Sequence, residues 1–154
     1  MTNYKKFSIC FLATFLLLLS CTKGAVTPKG AFINVKNAYL RTDAKALQLS
    51  LSKASLQKIK KITTSFSTMN EEQILSLSKL YDVSPKKLKH ISINYFLSIY
   101  LRYEKNKGTM IKAVNSEIIN IAIEKRKAIV MLVNGINLEF VKEGPYWKFD
   151  MTRL

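Results

Sequence analysis

The spacing of apolar residues divides the chain into a continuous apolar run near its start, a long middle of helical period and an end of strand alternation. Phe7 to Leu19 is almost wholly apolar and follows the basic pair Lys5 and Lys6. Thr22 to Gly30 (TKGAVTPKG) has two glycines, a proline and no apolar period, so it is expected to be a tether. From Ala31 the period is helical. Phe32, Val35, Tyr39 and Leu40 share one face of a first helix; Thr42-Asp43 caps a second that runs through Leu47 and Leu51. Ser52 caps a third, with Leu56, Ile59 and Ile62 turned inward and Lys53, Lys58, Lys60 and Lys61 turned to water. After a polar break at Thr63 to Thr68, Asn70 precedes Glu71 and Glu72, and Ile74, Leu77 and Leu80 form the buried stripe of the next helix. Ser84-Pro85, a cap followed by proline at the first helical position, starts a short helix. Ser92 or Asn94 opens the most apolar one, with Phe96, Leu97, Tyr100 and Leu101 inward, and Lys105 to Gly108 ends it.

The period then changes to two. Ile119, Ile121 and Ile123 alternate with Asn120 and Ala122, and Lys127 to Val133 is a nearly continuous apolar run. Asn134-Gly135 is a strong hairpin turn leading to Ile136, Leu138 and Phe140. Glu143-Gly144-Pro145 makes the next turn, and Trp147, Phe149 and Met151 face inward from a last strand whose other face carries Tyr146, Lys148 and Asp150. Helices followed by four strands in sequence order predict an α+β fold, with N-terminal helices packed on one face of a C-terminal four-stranded antiparallel meander. One domain over residues 31–154 is expected.

The start of the chain resembles a bacterial lipoprotein signal. A helix over the apolar run would be about 20 Å long, short of the roughly 30 Å hydrocarbon core of a bilayer, so a permanent span is not expected. Leu18-Leu19-Ser20-Cys21 is similar to the lipobox, with leucine three places before the cysteine and a small residue directly before it. The resemblance implies cleavage after Ser20 and lipidation, palmitate included, of Cys21; two acyl chains suffice for stable anchoring. Thr22, with no aspartate after the cysteine, fits transfer to the outer membrane of the cell envelope. An ordinary secretory signal with Cys21 left as a free thiol, or a buried apolar helix, remains the alternative.

Composition narrows the chemistry. Cys10 would leave with the signal and Cys21 would carry lipid, so the exported domain would have no thiol for a disulfide, a nucleophile or a metal site. Loss of residues 1–20 removes Lys5 and Lys6 and leaves 23 basic against 10 acidic residues, a formal charge of +13. Such a surface suits anionic headgroups, acidic glycans or an acidic envelope protein, or is simply solvated. No nucleic-acid motif is present, and none is expected as a partner. Lys86, Lys87 and Lys89, with Lys125, Arg126 and Lys127, are the candidates for an anionic-surface patch. The single histidine, His90, sits in the basic run after Pro85 and reads as a surface residue. Asp43 reads as a helix cap and Asp150 as a solvated partner of Lys148. Tyr95, Tyr100 and Tyr103 lie on or around one helix; Tyr100 is expected in the core with its hydroxyl at the rim. Neither a catalytic residue, a cofactor site nor a metal site is expected, because ligand spacings, a Gly-x-Ser-x-Gly turn and a phosphate loop are missing.

Helices followed by a meander ending in Glu143-Gly144-Pro145-Tyr146-Trp147-Lys148-Phe149-Asp150 are similar to small lipoproteins of the NTF2-like (cystatin-like, cone-shaped) superfamily. The resemblance implies a cone with a pocket between the concave sheet face and the helices, and a sheet face available for homodimerisation. Two functions follow as expectations: a non-catalytic binding module anchored at the membrane, or an enzyme acting on a small molecule in that pocket. The latter requires acidic groups, histidine or tyrosines converging inside the cone.

Overall fold

The computed structural model describes residues 24–153. The signal over residues 1–20 and Cys21 lie outside the described residues. Among the described residues, seven α-helices precede the sheet: α1 (Pro28–Arg41), α2 (Ala44–Ser50), α3 (Lys53–Ser65), α4 (Glu71–Tyr81), α5 (Pro85–Lys89), α6 (Ile93–Lys107) and α7 (Met110–Asn115), with a 3-10 turn at Phe66–Thr68. The strands β1 (Ile118–Glu124), β2 (Lys127–Leu132), β3 (Asn137–Glu143) and β4 (Tyr146–Phe149) form one antiparallel sheet in the order β1-β2-β3-β4. This is the α+β meander that the change of period predicts.

The expected tether over 22–30 is shorter at its far end, because α1 starts at Pro28. Thr27 is extended and its hydroxyl accepts the Gly30 N–H, while Pro28 occupies the first helical position, where its missing donor costs nothing. Ala25 already bridges to Trp147. Another element, α7, has no counterpart in the expected order. Its Met110, Ala113 and Val114 are buried at helical spacing, but six residues do not make a helix on their own. The helix exists because Glu104, one turn before the end of α6, accepts the Met110 N–H at 2.9 Å.

Ala128, Val130, Leu132, Leu138, Phe140, Trp147 and Phe149 line the inner face of the sheet and share one core cluster with Val35 and Tyr39 of α1, Leu97 and Leu101 of α6, and Ala113 and Val114 of α7. Each large side chain buried there stabilises the fold by roughly 1.5–3 kcal/mol before entropy is charged. A second cluster, Phe66, Ile74, Val83, Leu88, Ile91 and Ile99, is built by the 3-10 turn, α4, α5 and α6, and Phe96 packs against both. The inward assignment of Leu40 and Leu80 is corrected: both are exposed, since each lies beside the stripe that touches a neighbour.

The larger correction concerns β1. Its inner face was expected to be covered, yet Ile119 is 66 % and Ile123 58 % exposed. Ile123 faces Ala128 across the ladder and so lies on the inner side, but it sits at the outermost strand, beyond the helical cover. A β-bulge between Ile118 and Asn120 displaces Ile119 from the regular alternation.

The end of α1 stores strain. Thr42 adopts a left-handed conformation, φ 55°, so that the Asp43 N–H reaches the Ala38 carbonyl (2.9 Å) and the Thr42 N–H reaches that of Tyr39 (3.2 Å). This is a Schellman closure whose left-handed position favours glycine, and a β-branched side chain there is costly. Thr42→Gly is therefore expected to raise stability by about 1 kcal/mol, even after the larger chain entropy of glycine, and to raise Tm by about 3–5 °C. A thermal melt of the two proteins checks it; an unchanged or lower Tm would mean that the threonine hydroxyl or methyl contributes more than the strain costs.

Candidate functional site

The buried face of α1 carries Ala31, Phe32, Val35, Ala38 and Tyr39. Asn34, Asn37 and Arg41, at spacings of three and four, form an exposed polar stripe beside it. Schellman closure at Thr42 turns the chain sharply, and Asp43 caps α2 by accepting the Ala46 N–H at 2.9 Å, as its position predicts. The edge strand β4 lies across from this helical pair. Ala25 joins it at one end, with Trp147 N–H donating to Ala25 O at 2.8 Å, and Leu51 at the other, with Ser52 N–H donating to Phe149 O at 2.8 Å.

Between the helices, Gly24-Ala25 and β4 lies a cleft of about 330 Å³. Its polar lining includes Asn34, Asn37, Arg41, Asp43, Ser50 and Lys148, and Trp147 forms part of a wall. One donor of the Lys148 ammonium is taken by the Leu49 carbonyl, which fixes the chain of Lys148 along the edge of α2. The Asp43 carboxylate is partly occupied by its capping bond. Two amides and two cations at one mouth suit a small anionic group, since charge-assisted hydrogen bonds from guanidinium and ammonium are the strong ones.

The space between sheet and helices, where the NTF2-like resemblance implies a pocket, is packed with side chains. One polar chain crosses it. Tyr39 donates to the Tyr100 hydroxyl at 3.0 Å with the rings edge to face, and Tyr100 also interacts with the carboxylate of Glu104. Burial pushes the Tyr39 hydroxyl far above the ordinary tyrosine range, and the Tyr100 and Glu104 oxygens add to the effect. Burial likewise pushes Tyr100 up to about 12. Sequence reasoning did not single out Glu104; its place four residues after Tyr100 on one helix is the signal that pairs them.

The other candidates disperse. Tyr103 stacks edge to face on Tyr81, and Tyr95 joins Lys86, Lys87, His90 and Ser92 along an open groove of about 560 Å³ beside α5. Lys86, Lys87 and Lys89 belong to α5 near the second core cluster, whereas Lys125, Arg126 and Lys127 sit at the β1–β2 turn. Lys127 pairs with Glu139 at 3.3 Å, and the Arg126 guanidinium donates twice to the Lys142 carbonyl, at 3.1 and 2.8 Å.

Asp150 is not a solvated partner of Lys148. It accepts from the Thr152 N–H (3.0 Å) and from the hydroxyls of Ser55 (3.1 Å) and Ser52 (3.5 Å), which docks the end of the chain on the start of α3. Burial alone would raise its pKa, but these hydrogen bonds hold the carboxyl below the usual carboxylate range. Among the described residues, no three His, Cys, Asp or Glu side chains converge as metal ligands, and no helix is long and apolar enough to cross a membrane. Compared with protein families, with curated proteins and with solved structures, the chain matches none.

Proposed function

We propose that this chain is a lipid-anchored lipoprotein of the bacterial cell envelope, held at the outer membrane through Cys21, and that it serves there as a non-catalytic binding module. The observation that carries this reading is the cleft lined by Ala25, Arg41 and Lys148. Ala25 is docked on β4 and lines the cleft, and it stands four residues after Cys21. Those residues span at most about 14 Å. An acyl chain on Cys21 therefore keeps Arg41 and Lys148 close to the headgroup layer, where anionic groups are concentrated. Helices before a meander and the Trp147-Lys148-Phe149-Asp150 hairpin support the NTF2-like likeness of the domain.

The enzyme alternative needs acidic groups, histidine or tyrosines converging on a pocket inside the cone. The interior convergence of Tyr39, Tyr100 and Glu104 instead has its hydrogen-bonding capacity spent within the core, on one another and on Met110.

The test has two arms. Intact mass of the membrane-extracted protein should match residues 21–154 plus acyl chains, and both the added mass and membrane retention should be lost in Cys21→Ala. For binding, Cys21→Ala protein should sediment with anionic but not zwitterionic vesicles, and the further pair Arg41→Ala and Lys148→Ala should weaken this by about tenfold, equivalent to about 1.4 kcal/mol. An unacylated product cut elsewhere would overturn the anchor; vesicle binding indifferent to the pair would overturn the cleft.

A further inference from the structure

The outer side of α1 carries apolar groups that the fold does not use. Thr27 caps this helix, and an apolar residue just before such a cap commonly packs back on the fourth helical position, here Ala31. Val26 is instead 68 % exposed. Along the helix, Lys29, Ile33, Lys36 and Leu40 follow at spacings of four, three and four, which sets them on one stripe. Ile33 is 44 % and Leu40 45 % exposed, so this stripe is turned away from the core that Phe32, Val35 and Tyr39 enter. It is also distinct from the cleft, which takes Asn34, Asn37 and Arg41 from a third side of the helix.

Charge and the path of the chain set what the stripe meets. α1 has no acidic residue, and neither Lys29 nor Lys36 pairs with a carboxylate among the described residues. By contrast α4, whose Leu75 and Leu80 are also exposed, opens with Glu71 and Glu72. Val26 stands five residues after Cys21, a reach of at most about 18 Å. Aliphatic side chains with lysines between them, on a helix tied to a bilayer at its N-terminal end, suit the boundary between acyl chains and phosphates. The apolar groups enter that boundary, and the lysine stems lie alongside them while the ammonium groups reach the phosphates.

We propose that Val26 and the stripe of Lys29, Ile33, Lys36 and Leu40 rest on an anionic lipid surface, so that α1 lies in the plane of the membrane. The inference rests on the anchor at Cys21 and is independent of what the cleft binds. α1 has 14 residues and is about 21 Å long, so the domain is held along a line and not at the single point of its tether. Asn37 and Arg41, on the neighbouring side of the same helix, are thereby kept at the level of the headgroups.

With Cys10 cut away and Cys21 acylated, the membrane-extracted protein has no free thiol, so one introduced cysteine takes one label. Ile33→Cys, Leu40→Cys and, as a reference at an exposed position of α4, Ser76→Cys are labelled with a polarity-sensitive fluorophore and reconstituted in vesicles of phosphatidylglycerol and phosphatidylcholine. The labels at 33 and 40 should be quenched by nitroxide-bearing lipids about threefold more than the label at 76. Adding Lys29→Glu with Lys36→Glu should bring them to the reference level. Labels at 33 and 40 that match the one at 76, or quenching that survives the two lysine replacements, overturn the proposal and leave the anchor standing. Shielding from water without quenching by lipid would assign the stripe to a second copy of the chain and overturns it too. Uptake of the reagent by the unsubstituted protein would show a free thiol at Cys21, which overturns the anchor itself and this inference with it.

Discussion

Gly108→Ala is expected to destabilise the protein by about 3 kcal/mol, a large fraction of the roughly 5–15 kcal/mol typical of a domain. The glycine is not required by its backbone angles, since φ −82° and ψ 162° suit any residue. It is required by space. A Cβ at this position would stand 1.8 Å from Glu104 Oε2 and 2.5 Å from Glu104 Cα. The carboxylate cannot step aside without cost, because it is 8 % exposed and accepts the Met110 N–H that starts α7. Displacing it forfeits a charge-assisted hydrogen bond, about 1.5–3 kcal/mol, and leaves a buried donor unpaired. The clash with Cα cannot be relieved by a rotamer at all; the last turn of α6 must shift, adding about 1–3 kcal/mol of overpacking strain. Urea unfolding reads the result as a lower midpoint with an unchanged slope. A midpoint equal to wild type would mean that the α6–α7 turn relaxes freely and that Glu104 does not hold α7.

This turn also shows where sequence ceased to be informative. The alternation of β2 and β3 and the caps Asp43, Ser52, Asn70 and Ser92 are local signals, and each appears in the structure as its chemistry predicts; Asn134-Gly135 also turns the chain, but with Gly135 alone left-handed and not both residues as in a two-residue hairpin. Thr27-Pro28 is the same cap-and-proline sequence as Ser84-Pro85, whose serine side chain makes no cap hydrogen bond, but the glycines around it and the lack of an apolar period make it read as linker. What creates α7 is a side chain six residues before Met110, a relation that no period encodes. Burial on β1 was misjudged for a similar reason: alternation fixes which residues share a face, whereas cover depends on where the helices end. The cleft was hidden more deeply. Asn34, Asn37 and Arg41 are legible as one face of α1, yet nothing local places Ala25, Ser50 and Lys148 opposite them. Asp150 was misread because its partners, Ser52 and Ser55, are nearly a hundred residues away.

The tyrosine pair in the core is expected to make the protein alkali-labile in a defined window. Tyr39 and Tyr100 both have folded-state pKa values above the ordinary 10, burial being the main cause, with Tyr100 at about 12 and Tyr39 above that. Below pH 10 the folded and unfolded chains hold these protons equally, so the pair adds no pH dependence. Between pH 10 and 12 the unfolded chain releases two protons that the native state keeps, and stability falls by about 2.7 kcal/mol per pH unit once both are ionised in the unfolded state. Near pH 12 the accumulated loss is on the order of 5 kcal/mol, enough to unfold a domain of ordinary stability. Tyr39→Phe tests the effect, with Tyr100, which loses the hydrogen bond from Tyr39 that lowers its pKa, as the other group whose titration moves. At neutral pH it should cost about 1 kcal/mol, the worth of the lost hydrogen bond. Above pH 10 the difference should shrink and then reverse, since the variant no longer holds a proton that alkali removes from the unfolded chain. Urea midpoints from pH 8 to 12, with tyrosinate absorbance recorded alongside, test this. Tyr39 and Tyr100 should ionise only as the fold is lost; both ionising near pH 10 in a folded protein would show that the Tyr39–Tyr100 pair is open to water.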